Sequence, residues 1–352
     1  MKGIKCVFWA ILLAVVMCVC GCAGSDESGR EKKSREKDKI QIGLCFDSFV
    51  IERWQRDRDV FVSMAKEMGA EVNVQNANGD AAEQKRQIDY FIKKKMDVIV
   101  IVCTDSNVIR PSVAKAKEEG IKVIAYDRQI TDTDVDLYIS FDNERVGELM
   151  AKGFVDAGLE NGNVLMICGS PLDSNVPMVE AGFMRVMKEH GNTILDKFYA
   201  EGWKAEEASD YMYTHKRLVE KADAIMCGND DLASRVVNAL AERKQAGKKL
   251  VVGQDADLEA CQRIVEGTQL MTVYKPIEKL AQSAAECAVK LAKGEELPGN
   301  ELAQISNGRC KVPYLKIEPL SVTAANMDEV IVKSGFHLKE DVYLNVSAES
   351  CK

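Results

Sequence analysis

Asp97-Val98-Ile99-Val100-Ile101-Val102, then the amphipathic stretch Val108–Glu119, then Lys122-Val123-Ile124-Ala125-Tyr126: two short apolar runs with a helical pattern between them. The runs are rich in Val and Ile with almost no polar interruption, which fits strands buried on both faces, and the helix between them returns the chain to start a parallel neighbour. Working outward, the same alternation precedes this unit, with strands at Ile40–Phe46 and Glu71–Gln75 and helices at Arg53–Met68 and Ala81–Lys95. It then restarts. After Leu137–Phe141 come a helix at Glu144–Asp156 and strands at Asn163–Cys168, Thr193–Tyr199, Ala224–Cys227, Leu250–Gly253 and Leu270–Tyr274, with helices at Pro177–Glu189, Lys204–Glu220, Leu232–Arg243 and Leu258–Val265 between them.

A βαβα rhythm implies a doubly wound parallel sheet, and a rhythm that restarts in a chain of 352 residues implies two lobes rather than one wide sheet. The last part breaks the pattern. Pro276–Lys293 reads as a long amphipathic helix, and Lys311–Thr323 alternates like a strand but is interrupted by Pro313 and Pro319. This reads as the chain recrossing between lobes, with crossings near Asp142–Glu144, Tyr274–Pro276 and Lys311–Tyr314. The expected fold class is α/β, two doubly wound parallel-sheet lobes joined by a three-segment hinge. Residues 40–143 plus 276–313 would form the N-terminal lobe and residues 144–275 plus 314–345 the C-terminal lobe.

The N-terminus follows a different logic. Lys2 and Lys5 precede an apolar run from Cys6 to Val19, the charged and apolar regions of a secretory signal, too short for an ordinary membrane span. Val19-Cys20-Gly21-Cys22 resembles a bacterial lipobox, which makes Cys22 the candidate for lipid attachment and residues 1–22 a lipoprotein signal. Plain secretion or an uncleaved anchor is the competing reading, since Cys18 and Cys20 stand alongside. Residues 23–39 are polar and charged without periodicity, as a flexible tether is. The expected location is extracytoplasmic, held to the cell membrane by lipid.

Formal net charge is −8 and no basic stripe lies in the body of the chain, so nucleic acid is excluded as a partner. Of twelve cysteines, Cys45, Cys103, Cys168 and Cys227 each fall near the end of an apolar strand, where a free thiol behaves as a small buried hydrophobe. No CxxC pair occurs in the body, so neither a thiolate metal site nor a cofactor is expected. His190, His215 and His337 carry no catalytic motif around them, and no phosphate loop, HExxH or nucleophile elbow is present. The chain does not read as an enzyme.

In open parallel sheets ligands bind beyond the carboxyl ends of the strands. The residues found there are Asp47, Ser48, Arg53 and Trp54, then Asp127 and Arg128, then Asp173-Ser174-Asn175, Trp203, Asn229, Asp255 and, after the last strand, Lys275. These types suit an uncharged polyol, because each hydroxyl both donates and accepts, and Trp54 and Trp203 are candidate walls for its apolar C–H face. Asn229 and Asp230 are equally good helix caps, Asp127-Arg128 could be a structural ion pair, and Trp54 could be core. What supports a site is the repeated placement at strand ends.

The strings Ile51 to Asp59, Val74-Gln75-Asn76-Ala77-Asn78-Gly79, Ala125-Tyr126-Asp127-Arg128, Tyr138 to Glu144, Gly253 to Asp257 and Thr272 to Ile277 resemble the bacterial D-xylose-binding proteins of ABC importers, and Ser334 to His337 resembles their closing segment. The resemblance spans Ile40 to about His337. It implies a type I periplasmic-binding fold, with sugar contacts at Arg53, Asp127, Arg128, Asn175, Asn229, Asp255 and Lys275, Asp173 close by, and Trp54 and Trp203 against the ring. Departures are Ser48, where the family commonly has an acid, Phe49-Val50, Asp173-Ser174-Asn175 in place of Asp-Asn-Asn, and Asp230-Asp231-Leu232. The implied function is capture of a monosaccharide, D-xylose or similar, by lobe closure and its delivery to an ABC permease. A sensor that presents its closed form to a membrane receptor is the alternative.

Overall fold

The structure, a computed structural model, describes residues 39–51, 53–297, 299 and 302–346. The signal segment, Cys22 and nearly all of the tether lie outside the described residues.

The first series is β1 (Gln41–Phe46), α1 (Arg53–Glu67), β2 (Glu71–Asn76), α2 (Ala81–Lys93), β3 (Val98–Ile101), α3 (Ser106–Glu118), β4 (Lys122–Tyr126) and β5 (Leu137–Phe141). After α4 (Asn143–Asp156) the second runs β6 (Asn163–Cys168), α5 (Asn175–Glu189), β7 (Thr193–Tyr199), α6 (Ala205–Thr214), α7 (Lys216–Lys221), β8 (Ala224–Cys227), α8 (Asp230–Glu242), β9 (Leu250–Gln254), α9 (Leu258–Glu266) and β10 (Met271–Tyr274). The chain ends with α10 (Ile277–Lys293), β11 (Leu302–Ser306), β12 (Lys311–Ile317), β13 (Leu320–Val322), a short π turn at Asp328–Val332 and α11 (Lys339–Val342).

Two sheets result, ordered β11-β12-β5-β4-β3-β1-β2 and β13-β10-β9-β8-β6-β7. Within them β2-β1-β3-β4-β5 and β7-β6-β8-β9-β10 repeat one winding order, all parallel, and only β11 and β13 run antiparallel, each at an edge. Central strands such as β3 and β8 are buried at every position, as their unbroken apolar sequences require. Helix starts are set locally: Asp80, Asp105 and Asp142 accept first-turn amides of α2, α3 and α4.

The third crossing lies later than the sequence reading placed it. Lys311–Ile317 is one strand of the first sheet, parallel to β5, so the chain crosses at Glu318-Pro319 and not at Lys311–Tyr314. Pro313 is accommodated within β12, opposite Gln304 of the edge strand β11. That edge strand has no apolar alternation, being mostly exposed, and went unread. The helix expected over Lys204–Glu220 begins at Ala205 and is broken at His215, whose φ of −105° and ψ of 38° separate α6 from α7.

The three crossings run side by side. Asp142 N donates to Ile317 O at 3.0 Å, Lys316 Nζ reaches Asp142 Oδ2 at 2.8 Å, and Tyr274 is opposite Leu320 in the β10–β13 ladder. Each lobe's sheet therefore presents its carboxyl edge to the other across a common cleft.

Candidate ligand-binding site

The repeated winding order makes the strand ends comparable. β4 and β9 hold the same place in their sheets, and each is followed at once by an aspartate in the left-handed region, Asp127 at φ 61° and Asp255 at φ 100°. A non-glycine residue there costs on the order of 1–3 kcal/mol and persists where surrounding contacts hold it. Likewise Arg53 opens α1 after β1, and Asn175 opens α5 after β6. Two pseudo-equivalent sets of polar groups thus face one another.

Between them is a cavity lined by residues of both lobes. Nine of the ten expected ligand contacts line it: Arg53, Trp54, Asp127 and Arg128 from the first lobe, Asp173, Asn175, Trp203 and Asp255 from the second, and Lys275 at the crossing. The tenth, Asn229, is not on this wall. Its Oδ1 accepts Leu232 N at 3.0 Å as the cap of α8, and it lines a neighbouring groove with Val50, Ile51 and Asp257.

The charged groups pair with one another around the cavity. Arg53 Nη2 donates to Asp127 Oδ2, with Asp57 behind it at 3.9 Å. Arg128 Nη1 donates to Asp47 Oδ2 at 2.5 Å and to Cys103 O at 3.2 Å, while its Nε is 2.7 Å from Asp173 Oδ2. Lys275 Nζ is 2.6 Å from Asp255 Oδ1. Asp127 and Arg128, adjacent in sequence, are therefore not each other's partners. Asp127 also receives Asn175 Nδ2 at 3.0 Å, and its carbonyl accepts the Ser140 hydroxyl at 2.6 Å.

Burial works to raise the Asp127 carboxyl, but the charges of Arg53, Lys275 and Arg128 outweigh it and hold the group below its usual range. At Asp173 burial wins over Arg128 and the value rises. Burial also pushes Asp57 up to about 7, against the pull of Arg53 and the Tyr126 hydroxyl that donates to it.

Some polar atoms on these buried residues have no hydrogen-bond partner: Arg53 Nη1, Arg128 Nη2 and Gln254 Oε1. The Gln254 amide is oriented by its Nε2, which donates to Gly228 O at 2.5 Å, so its free end is an acceptor. Unmet donors from the first lobe and an unmet acceptor from the second, around one cavity, are the provision a polar ligand needs.

The rest of the wall is apolar. Trp203 lies flat over Gly169, where a Cβ would stand 2.1 Å from its Cη2, and its Nε1 donates to Asp173 Oδ2 at 3.1 Å. Trp54 is 2% exposed and carries the Arg53 guanidinium 4.1 Å from its ring centre. Ile51, Val176, Val179 and Met226 also line the cavity, together with Asn143, Glu180, Gln254, Cys168 and Gly228. None of these was among the ten expected contacts, although Gln254 immediately precedes Asp255 at its strand end and Ile51, Asn143 and Gln254 lie within the quoted family-like strings. Cys45, Cys103, Cys168 and Cys227 are buried with free thiols, and burial raises each above its ordinary value, Cys103 to about 12.

A family model described as a periplasmic binding protein domain matches residues 42–296. The D-xylose-binding periplasmic protein of Haemophilus influenzae is 43% identical over 315 residues, 88% of this chain and 94% of that one. The protein of the same name from Escherichia coli is 41% identical over 309 residues, 86% and 93% of the two chains. Among solved structures, an ABC transporter solute binding protein from Clostridium phytofermentans with bound β-D-glucose superposes with a TM-score of 0.78 at 28% identity, covering 86% of this chain and 99% of that one. A homologue of these proteins over nearly their whole length, with the matching two-lobed fold, the chain belongs to the periplasmic binding protein family and is a binding protein rather than an enzyme.

Proposed function

We propose that the chain captures a neutral monosaccharide, D-xylose or a close analogue, by closing its two lobes, and delivers it to an ABC permease from an extracytoplasmic position to which Cys22 tethers it by lipid. The observation that carries this reading is that every buried cation of the cavity already has a carboxylate partner, in Arg53–Asp127, Arg128–Asp173 and Lys275–Asp255. An anionic or cationic ligand would leave one of these charges without its partner in a dry site, which is costly. A polyol instead adds hydrogen bonds to charges already paired, each worth about 1.5–3 kcal/mol net.

In this reading Arg53, Arg128 and Lys275 donate to sugar oxygens, Asp127, Asp173, Asp255 and Gln254 accept from hydroxyls, Asn175 does either, and Trp54 and Trp203 cover the ring faces. The name of the two relatives above 40% identity supports D-xylose as the first sugar to test. Differential scanning fluorimetry of the protein against a panel of monosaccharides is the decisive experiment. A selective rise in melting temperature with a pentose is expected, and no response to any sugar would refute the reading.

A further inference from the structure

Three consecutive residues of the first lobe meet three consecutive residues of the second. Asp127 receives Asn175 Nδ2 at 3.0 Å, Arg128 Nε lies 2.7 Å from Asp173, and Gln129 N donates to Ser174 Oγ at 2.8 Å. The first two pairs line the cavity, but Gln129 and Ser174 do not. Ser174 occupies the N-cap of α5, where a serine hydroxyl ordinarily accepts a first-turn amide of its own helix. Here it makes no such bond; Asp173 Oδ1 takes the Asn175 amide at 2.9 Å instead, leaving the hydroxyl to the other lobe. The donor side is held as well, since Gln129 is 6% exposed and its Nε2 reaches Ser306 O at 3.2 Å.

We propose that the Gln129–Ser174 bond is a latch that sets affinity without touching the ligand. This rests on the reading above, that capture proceeds by lobe closure. When the lobes part, water satisfies both groups, so the bond favours only the closed form. Its loss shifts the closing equilibrium by about five-fold, the worth of one neutral hydrogen bond. Where the open form dominates the free protein, that factor passes undiminished, and equally, into the dissociation constant of every ligand that closes it. Ser174 thus tunes retention and leaves selectivity to the cavity.

The test compares wild type, Ser174→Ala and Ser174→Thr by titration calorimetry with D-xylose and with D-glucose, alongside melting of the sugar-free proteins. Ser174→Ala should weaken binding of each sugar that the wild type takes by about five-fold, with any ratio between them unchanged and the sugar-free melting temperature unmoved, and Ser174→Thr should restore it. An unchanged Kd overturns the latch. So does an altered ratio, which would make Ser174 a ligand contact, or a lower sugar-free melting temperature, which would make it a structural cap. A wild type that binds neither sugar sinks the reading of the cavity as a site for D-xylose or a close analogue, and the latch with it; a wild type that binds while Ser174→Ala is indistinguishable from it sinks the latch alone.

Discussion

Replacing Gly169 by alanine tests the cavity wall with a single methyl group. The backbone of Gly169 is not in the left-handed region, so alanine meets no conformational penalty there. The added Cβ would lie 2.1, 2.2 and 2.4 Å from three carbons of the Trp203 ring. Carbon atoms settle at about 3.5–4.0 Å, so the indole must move by roughly 1.5 Å. A shift of that size breaks the 3.1 Å bond from Nε1 to Asp173 and pushes the ring into the space the ligand would take. The lost bond to a charged acceptor is worth about 1.5–3 kcal/mol, which predicts a dissociation constant some ten- to hundred-fold higher. Titration calorimetry reads that number directly. Intrinsic fluorescence reports the movement, since both tryptophans among the described residues, Trp54 and Trp203, line the cavity. Affinity within about two-fold of wild type, with unchanged emission, would refute the placement of Trp203 as a ligand wall.

Arg128→Ala removes the guanidinium that bridges Asp47 and Asp173 and should weaken sugar binding by at least about ten-fold in calorimetry, the loss of one charge-assisted bond. Gly147→Ala should destabilise the fold itself by about 1–3 kcal/mol or more in urea unfolding, because its Cβ would sit 1.9 Å from the carbonyl of Val179 where α4 crosses α5, and backbone cannot yield as a ring can. The pH profile of stability should carry a signature of Asp57. Its folded value, about 7, lies above the ordinary 3.8, so between those values the native state holds a proton that the unfolded chain has released. Stability therefore falls as pH rises through that window, and Asp57→Asn should flatten the decline in melting temperature from pH 5 to pH 8.

The architecture was readable because its strands are buried on both faces and announce themselves as unbroken apolar runs; β3, β4 and β8 needed nothing further. The strand β11 was not, since an exposed edge strand needs no apolar face, and the third crossing was misplaced because Pro313 reads as a break although antiparallel pairing with β11 tolerates it. For the candidate site, the rule that ligands gather at strand ends picked out Asp127, Arg128 and Asp255, which line the cavity. It could not tell Asn229, a helix cap, from Asn175, a cavity residue, because both are asparagines at the start of a helix. Apolar contributors such as Val179 and Met226 look like any other core residue until the lobes are brought together.

Three adjacent strands of backbone link the lobes, at Asp142, at Lys275-Pro276 and at Glu318-Pro319, and two of them contain proline, whose φ is nearly fixed. One connecting thread would let the halves swivel freely; three laced together permit a swing about a single axis and resist torsion. On the proposed closure the same atoms would meet the same neighbours each time, so the register of the jaws is written into the chain's own covalent path and need not be searched for at every encounter with a ligand.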